Sequence, residues 1–281
     1  MEQYRRGELT FDVIDAGPAD GPVVILLHGF PQLNTSWNAV IDRLTAEGYR
    51  CLAPNQRGYS PGARPRRRRD YRIPEIAEDI RALIDASGAH RVHLVAHDWG
   101  AVAVWATAAE HGDRLATLTA FSVPHPAAFL KGLVTSRQGL ASWYMYAFQL
   151  PWLPEKVMLG RAKTGATLSR FLQTAGQTRE AAERDARAMA APGMLTSALN
   201  WYRAIPLTDF RTTNRKISVP ALYVWSDQDI ALAEKPARDT ARYVTGDYRF
   251  EILHGVSHWI PEQQPDKAAD LLLEWFEAHP V

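Results

Sequence analysis

Val23-Val24-Ile25-Leu26-Leu27 is an unbroken β-branched and aliphatic run, the first of several short apolar segments that alternate with longer stretches of helical period. Such a run, closed by His28-Gly29-Phe30-Pro31, is expected of a central parallel strand buried on both faces. Residues 9–15 alternate apolar and polar and predict an earlier strand, and residues 49–53, 92–96 and 115–123 predict three more. Residues 34–46, 74–86 and 99–110 predict helices between them, the second opened by Pro74, whose missing N–H costs nothing at a helix start. Strand–helix alternation of this kind predicts an α/β fold with a mostly parallel central sheet flanked by helices.

The alternation stops near Pro124-His125-Pro126. From 125 to 214 the pattern is helical throughout, rich in Ala, Leu and aromatics and broken by prolines. Strand patterns resume at 220–225 and 248–253, and residues 266–278 predict an amphipathic C-terminal helix. The expected division is a core in two parts, 1–124 and 215–281, with a helical lid at 125–214 inserted above the strand ends, where sites of α/β sheets lie.

Length and charge narrow the function classes. A chain of 281 residues with 46% hydrophobic content can bury a large core, and a net charge of +1 argues against nucleic-acid binding. The N-terminus shows no signal peptide and no apolar stretch reaches the length of a membrane span. With a single cysteine, Cys51, expected to be a buried strand thiol, the chain is compatible with the cytoplasm. The run Arg64-Pro65-Arg66-Arg67-Arg68-Arg69 reads as a solvated loop. No metal-binding or phosphate-cradling motif is present, so no cofactor is expected. A homodimer is compatible with these properties.

The chemistry centres on Val95-Ala96-His97-Asp98-Trp99-Gly100. A small residue stands two positions on either side of Asp98, between a predicted strand and a predicted helix. This is the nucleophile-elbow pattern, with Asp where Ser is usual. A carboxylate is a poor nucleophile toward acyl carbon, because the product is an anhydride. It is a competent one toward an sp³ carbon with a strained or good leaving group, and the resulting alkyl ester must be hydrolysed by water. The base for that water is expected to be His258, in the loop after the last strand, oriented by Asp229 after the preceding strand. Backbone N–H groups of Phe30 and Trp99 are expected to form the oxyanion hole. Opening an epoxide creates an alkoxide that needs a proton, and the lid supplies phenols at Tyr144 and Tyr202, with Tyr146 a competitor for the first place. Trp143, Phe148 and Trp201 are expected to line an apolar substrate pocket.

These segments resemble the α/β-hydrolase fold family, specifically its epoxide hydrolase branch, over nearly the whole chain. The resemblance is carried by His28-Gly29-Phe30-Pro31, Gln56-Arg57-Gly58-Tyr59-Ser60, the Asp98 elbow, Val123-Pro124-His125-Pro126, Asn200-Trp201-Tyr202-Arg203 and Gly255-Val256-Ser257-His258-Trp259. Asn200-Trp201-Tyr202-Arg203 looks like the second lid-tyrosine motif, which makes Tyr202 a proton donor by likeness. The His-Asp-Trp-Gly segment is shared with haloalkane dehalogenases. Trp99 stands where fluoroacetate dehalogenases usually carry Arg, and Phe30 where some haloalkane dehalogenases carry a halide-binding Asn. The resemblance implies hydrolysis of an apolar epoxide to a vicinal diol. The alternatives are a haloalkane dehalogenase that holds halide with Trp99 and a lid indole, Trp143 or Trp201, and a ligand-binding relative without turnover.

Overall fold

The structure is a computed structural model that describes residues 1–213 and 215–281. One sheet of eight strands runs through it: β1 (Gln3–Arg6), β2 (Leu9–Ala16), β3 (Val23–Leu27), β4 (Arg50–Pro54), β5 (Val92–His97), β6 (Leu115–Phe121), β7 (Ala221–Ser226) and β8 (Tyr248–Leu253), in the order β1-β2-β4-β3-β5-β6-β7-β8. β2 is antiparallel to both its neighbours, and from β4 to β8 the pairings are all parallel. This is the expected α/β architecture.

Strand alternation explains the two layers. Val24 and Leu26 of β3 face one core with Trp37, Val40, Leu44, Leu272 and Phe276, beneath helix α1 (Asn38–Ala46) and the C-terminal helix Pro265–Ala278. Ile25 and Leu27 face the other, with Ile76, Ile80 and Trp105 of helices α2 (Ile73–Ser87) and α3 (Trp99–His111). Every residue of β3, β5 and β6 is buried, which is why β3 reads as a continuous apolar run and β5 and β6 as apolar segments interrupted only by buried His93, His97, Thr117 and Thr119. Cys51 is buried in β4, and burial pushes its thiol up to about 12.

Two local expectations change. The helix expected over 34–46 is divided into a 3₁₀ turn, Asn34–Trp37, and α1, because Asn34 is held by the carbonyl of Ala53 and the side chain of Asn55. β1 gives no strand signal in the sequence; it is four residues long and pairs only with β2, with Arg6 bonded to Glu75 and Asp79 of α2.

Helical elements fill 126–213 between β6 and β7. Asn214, the expected end of this insertion, lies outside the described residues. The strand order places β3 beside β5 in register, Leu27 opposite Ala96, so the loops that follow them emerge side by side. β7 and β8 are paired to their C-terminal ends, Ser226 opposite Leu253, and bring the Asp229 and His258 loops to the same edge.

Candidate active site

Asp98 sits at the turn between β5 and α3 with φ 51° and ψ −121°, a conformation costly for a non-glycine residue. Its neighbours must be small. A Cβ on Gly29 would lie 2.3 Å from the Asp98 Cβ, and one on Gly100 would lie 2.5 Å from the carbonyl of Leu27. The tight turn pushes the carboxylate out over the sheet edge. Its Oδ1 accepts the Phe30 N–H at 2.8 Å. Trp99 is the first residue of α3, so its N–H has no partner within the helix.

His258 completes the constellation. Its Nε2 is 3.4 Å from Asp98 Oδ2, and its Nδ1 is 2.7 Å from Asp229 Oδ2. The other Asp229 oxygen accepts N–H groups of Ala231 and Leu232, which fixes the carboxylate plane. All three side chains are nearly or fully withdrawn from solvent. Burial works to lower the pKa of His258, but the attraction of Asp229 and Asp98 prevails and pushes it up to about 10. Burial likewise works to raise Asp98, and the hydrogen bond and charge of His258, helped by His97 and the Phe30 N–H, hold it below the usual carboxylate range. Asp98 is therefore ionised at neutral pH. The other acid–histidine pair of this edge, Asp227 and His254, meets at the surface, away from Asp98.

The loops carrying these groups are tied by buried polar residues that sequence reasoning did not single out. The His258 carbonyl accepts from Ser122 Oγ and contacts His97 Nε2, both at 2.9 Å. His97 Nδ1 meets Gln32 Oε1 at 3.0 Å, and Gln32 in turn donates to Glu262, which also receives Arg184 from the helical insertion. On the Phe30 side, His28 Nε2 accepts the Gln56 N–H, so Nδ1 carries the proton toward the Gly29 carbonyl. This neutral tautomer agrees with the fall of its pKa to about 4 through burial.

The insertion brings Tyr144 and Tyr202 over Asp98, with ring centroids 6.1 Å apart. Tyr202 belongs to helix Met194–Arg203, and Arg203 joins that helix to the Tyr144 segment: it donates to the carbonyls of Phe148 and Leu150 and pairs bidentately with Glu155. Burial, and after it the Asp98 charge, raises both phenols above their ordinary range, so both carry protons at any working pH. Trp99, which meets Tyr202 edge to face with ring centroids 4.8 Å apart, offsets part of this. Tyr146, two residues from Tyr144, is 69% exposed and lines neither lobe of the cavity.

Asp98, Tyr144 and Tyr202 stand where two apolar lobes meet. One, of about 110 Å³, reaches between α3 and the insertion toward Phe129, Leu133 and Ile205. The other, of about 140 Å³, passes Phe30, Phe148, Phe171 and His258, with Trp143 at its mouth. Phe148 thus lies where expected and Trp143 is a rim residue, mostly exposed. Trp201 corrects the sequence reading. It does not line either lobe; it is buried behind Tyr202, packs edge-on against Trp99, and gives its N–H to the Arg57 carbonyl at 2.7 Å. The Gly58 turn beside it, at φ +90°, lets the backbone approach Ser197 of the Tyr202 helix; a Cβ there would come within 2.9 Å of the Ser197 carbonyl.

The fold and this edge constellation define an α/β hydrolase. A family profile described as alpha/beta hydrolase fold matches residues 22–265, and the chain belongs to that family. It is 33% identical over 276 residues to the AB hydrolase superfamily protein YfhM of Bacillus subtilis, covering 96% of this chain and 95% of that protein. It is 32% identical over 307 residues to Epoxide hydrolase A of Mycobacterium tuberculosis, covering 94% and 92% of the two chains. The crystal structure of Epoxide Hydrolase A from Mycobacterium thermoresistibile superposes with a TM-score of 0.85 at 25% identity, covering 98% of this chain and 97% of that one. Within the family, the chain falls on the branch that holds these enzymes.

Proposed function

We propose that the protein hydrolyses apolar epoxides to vicinal diols through an ester on Asp98. The observation that carries this reading is the meeting of an ionised carboxylate on a strained elbow with two protonated phenols across one apolar cavity. Asp98 attacks an epoxide carbon from the sheet side; the C–O bond breaks, and Tyr202 and Tyr144 deliver a proton to the leaving oxygen. Once Asp98 is an uncharged ester, His258 passes its proton to the tyrosinate, and the neutral imidazole, oriented by Asp229, then takes a proton from water, which attacks the ester carbonyl of Asp98. The oxyanion formed on Asp98 lies at the Phe30 N–H, with Trp99 N–H as second donor. The ester bond breaks, the hydroxyl just added to Asp98 gives its proton to the departing alkoxide, and the diol leaves with Asp98 again a carboxylate and His258 again protonated. The helical insertion serves as the lid that supplies the phenols and excludes water.

The relatives named epoxide hydrolases support this reading. The dehalogenase alternative needs indole N–H groups converging on a halide. The Trp201 N–H is occupied by Arg57, Trp99 packs edge-on against Tyr202, and Trp143 is at the rim. The test is intact-protein mass of His258→Ala after incubation with panels of epoxides and haloalkanes. A gain equal to a whole epoxide is expected. A gain equal to a haloalkane less hydrogen halide, or no adduct alongside wild-type epoxide turnover, would refute the proposed route.

A further inference from the structure

The large apolar side chains exposed to solvent are not scattered. Among the described residues, most lie in residues 134–171 of the insertion, including Leu140, Trp143, Tyr146, Trp152, Val157 and Phe171. Their helices pack on one another, Gln138–Ala141 against Trp143–Ala147 and Leu153–Leu159 against Ala166–Thr174. Trp152 is 66% exposed and held at φ 50°, a conformation rarely adopted by a bulky residue, which presents its indole outward. The patch is continuous with the cavity, because Trp143, Phe171 and Ile230 are at once exposed and part of the lining of the His258 lobe. Scattered apolar residues need no explanation; a concentration around one opening does.

Charge identifies what covers it. The same stretch, residues 126–174, carries Lys131, Arg137, Lys156, Arg161, Lys163 and Arg170 against one acid, Glu155, which is taken by Arg203. All six cations are exposed, in a chain whose overall net charge is only +1. Exposed Trp and Tyr among exposed Lys and Arg match the headgroup region of an anionic bilayer, where indoles and phenols settle at the interface and cations meet lipid phosphates. A protein partner of ordinary surface would leave the excess charge unanswered.

We propose that this face of the insertion docks on the surface of an anionic lipid bilayer, with the mouth of the cavity opening onto it. Docking would let an apolar epoxide pass from the bilayer to Asp98 without crossing water; that consequence rests on the proposed activity, whereas docking itself does not. The test is sedimentation of the full chain with vesicles of phosphatidylcholine alone and of phosphatidylcholine mixed with phosphatidylglycerol, at low and high salt. Binding to the mixed vesicles alone, weakened by salt, is expected. Lys156→Glu/Lys163→Glu should lower the partition coefficient more than about tenfold, at roughly fivefold per charge removed. Trp152→Asn/Val157→Ser should lower it comparably while the urea unfolding midpoint is kept, which separates docking from folding. No sedimentation with mixed vesicles at low salt, binding indifferent to both variants, or a concentration-dependent dimer abolished by Trp152→Asn would overturn the proposal, the last by assigning the face to a second copy.

Discussion

The charge of Asp98 should control the protonation of His258, and Asp98→Asn isolates that control. The variant keeps the shape of the side chain and an oxygen for the Phe30 N–H, but like the proposed ester it is neutral. His258 lies between two carboxylates, 2.7 Å from Asp229 and 3.4 Å from Asp98, and is raised from 6.5 to about 10. That rise corresponds to a net of about 5 kcal/mol, what remains of the attraction of the two acids after the opposing cost of burial. Coulomb's law at the Asp98 distance gives about 1 kcal/mol in water and about 5 kcal/mol at an effective dielectric of 20. Removing the charge should therefore lower the His258 pKa by about two units, toward the range in which a neutral imidazole can take a proton from water.

The assay is an NMR titration of the imidazole nitrogens in the ligand-free wild type and in Asp98→Asn. Stability must follow. Because the folded pKa of His258 is raised, its contribution is fully present below the unfolded value of 6.5 and is lost as the pH rises through about 10. Asp98, which is lowered, loses its contribution as the pH falls through its folded pKa; the two describe one ion pair and are counted once. Urea unfolding of the wild type should thus show declining stability from neutral pH to pH 10, with a shallower decline in Asp98→Asn. A His258 that titrates at the same pH in both proteins would refute the reasoning.

Two further outcomes are expected. Tyr144→Phe and Tyr202→Phe should each slow ester formation about 100-fold in single-turnover mass spectrometry, the low end for loss of a general acid, with ester hydrolysis much less affected; equal loss in both steps would point to a packing role instead. Arg203→Ala strips the partner from Glu155 and the donors from two carbonyls, and should cost about 3–5 kcal/mol in urea unfolding; a cost under about 1 kcal/mol, the worth of an exposed pair, would show that the bridge does not hold the two tyrosine segments together.

The sheet was legible because β3, β5 and β6 are buried on both faces and are written mainly in aliphatic and other apolar residues, and the elbow because its turn tolerates only small neighbours. What failed was phase and distance. Tyr144 and Tyr146 differ by two helical positions, about 200° of rotation, so only the docking of their short helix decides which one faces Asp98. Trp201 and Tyr202 are adjacent and therefore point about 100° apart, one to Arg57 and one to the cavity. Gln32, His97 and Glu262 are joined by contacts spanning 65 and 230 residues of chain, and nothing local in the sequence marks them as partners.

Why the nucleophile should be an acid rather than a hydroxyl follows from the same charge. In the resting site the Asp98 charge helps hold His258 protonated and contributes, after burial, to raising Tyr144 and Tyr202. In the proposed reaction, attack on the epoxide cancels that charge as the leaving oxygen becomes basic. The phenols then lose a repulsion that opposed their ionisation and become stronger acids at the moment a proton is needed. The same cancellation weakens the hold on the His258 proton, which frees the imidazole to act on water only after the ester exists. Hydrolysis restores the carboxylate and returns all three groups to their starting state. A serine at this elbow carries no charge to lose, so it could not order the acid and base steps in this way.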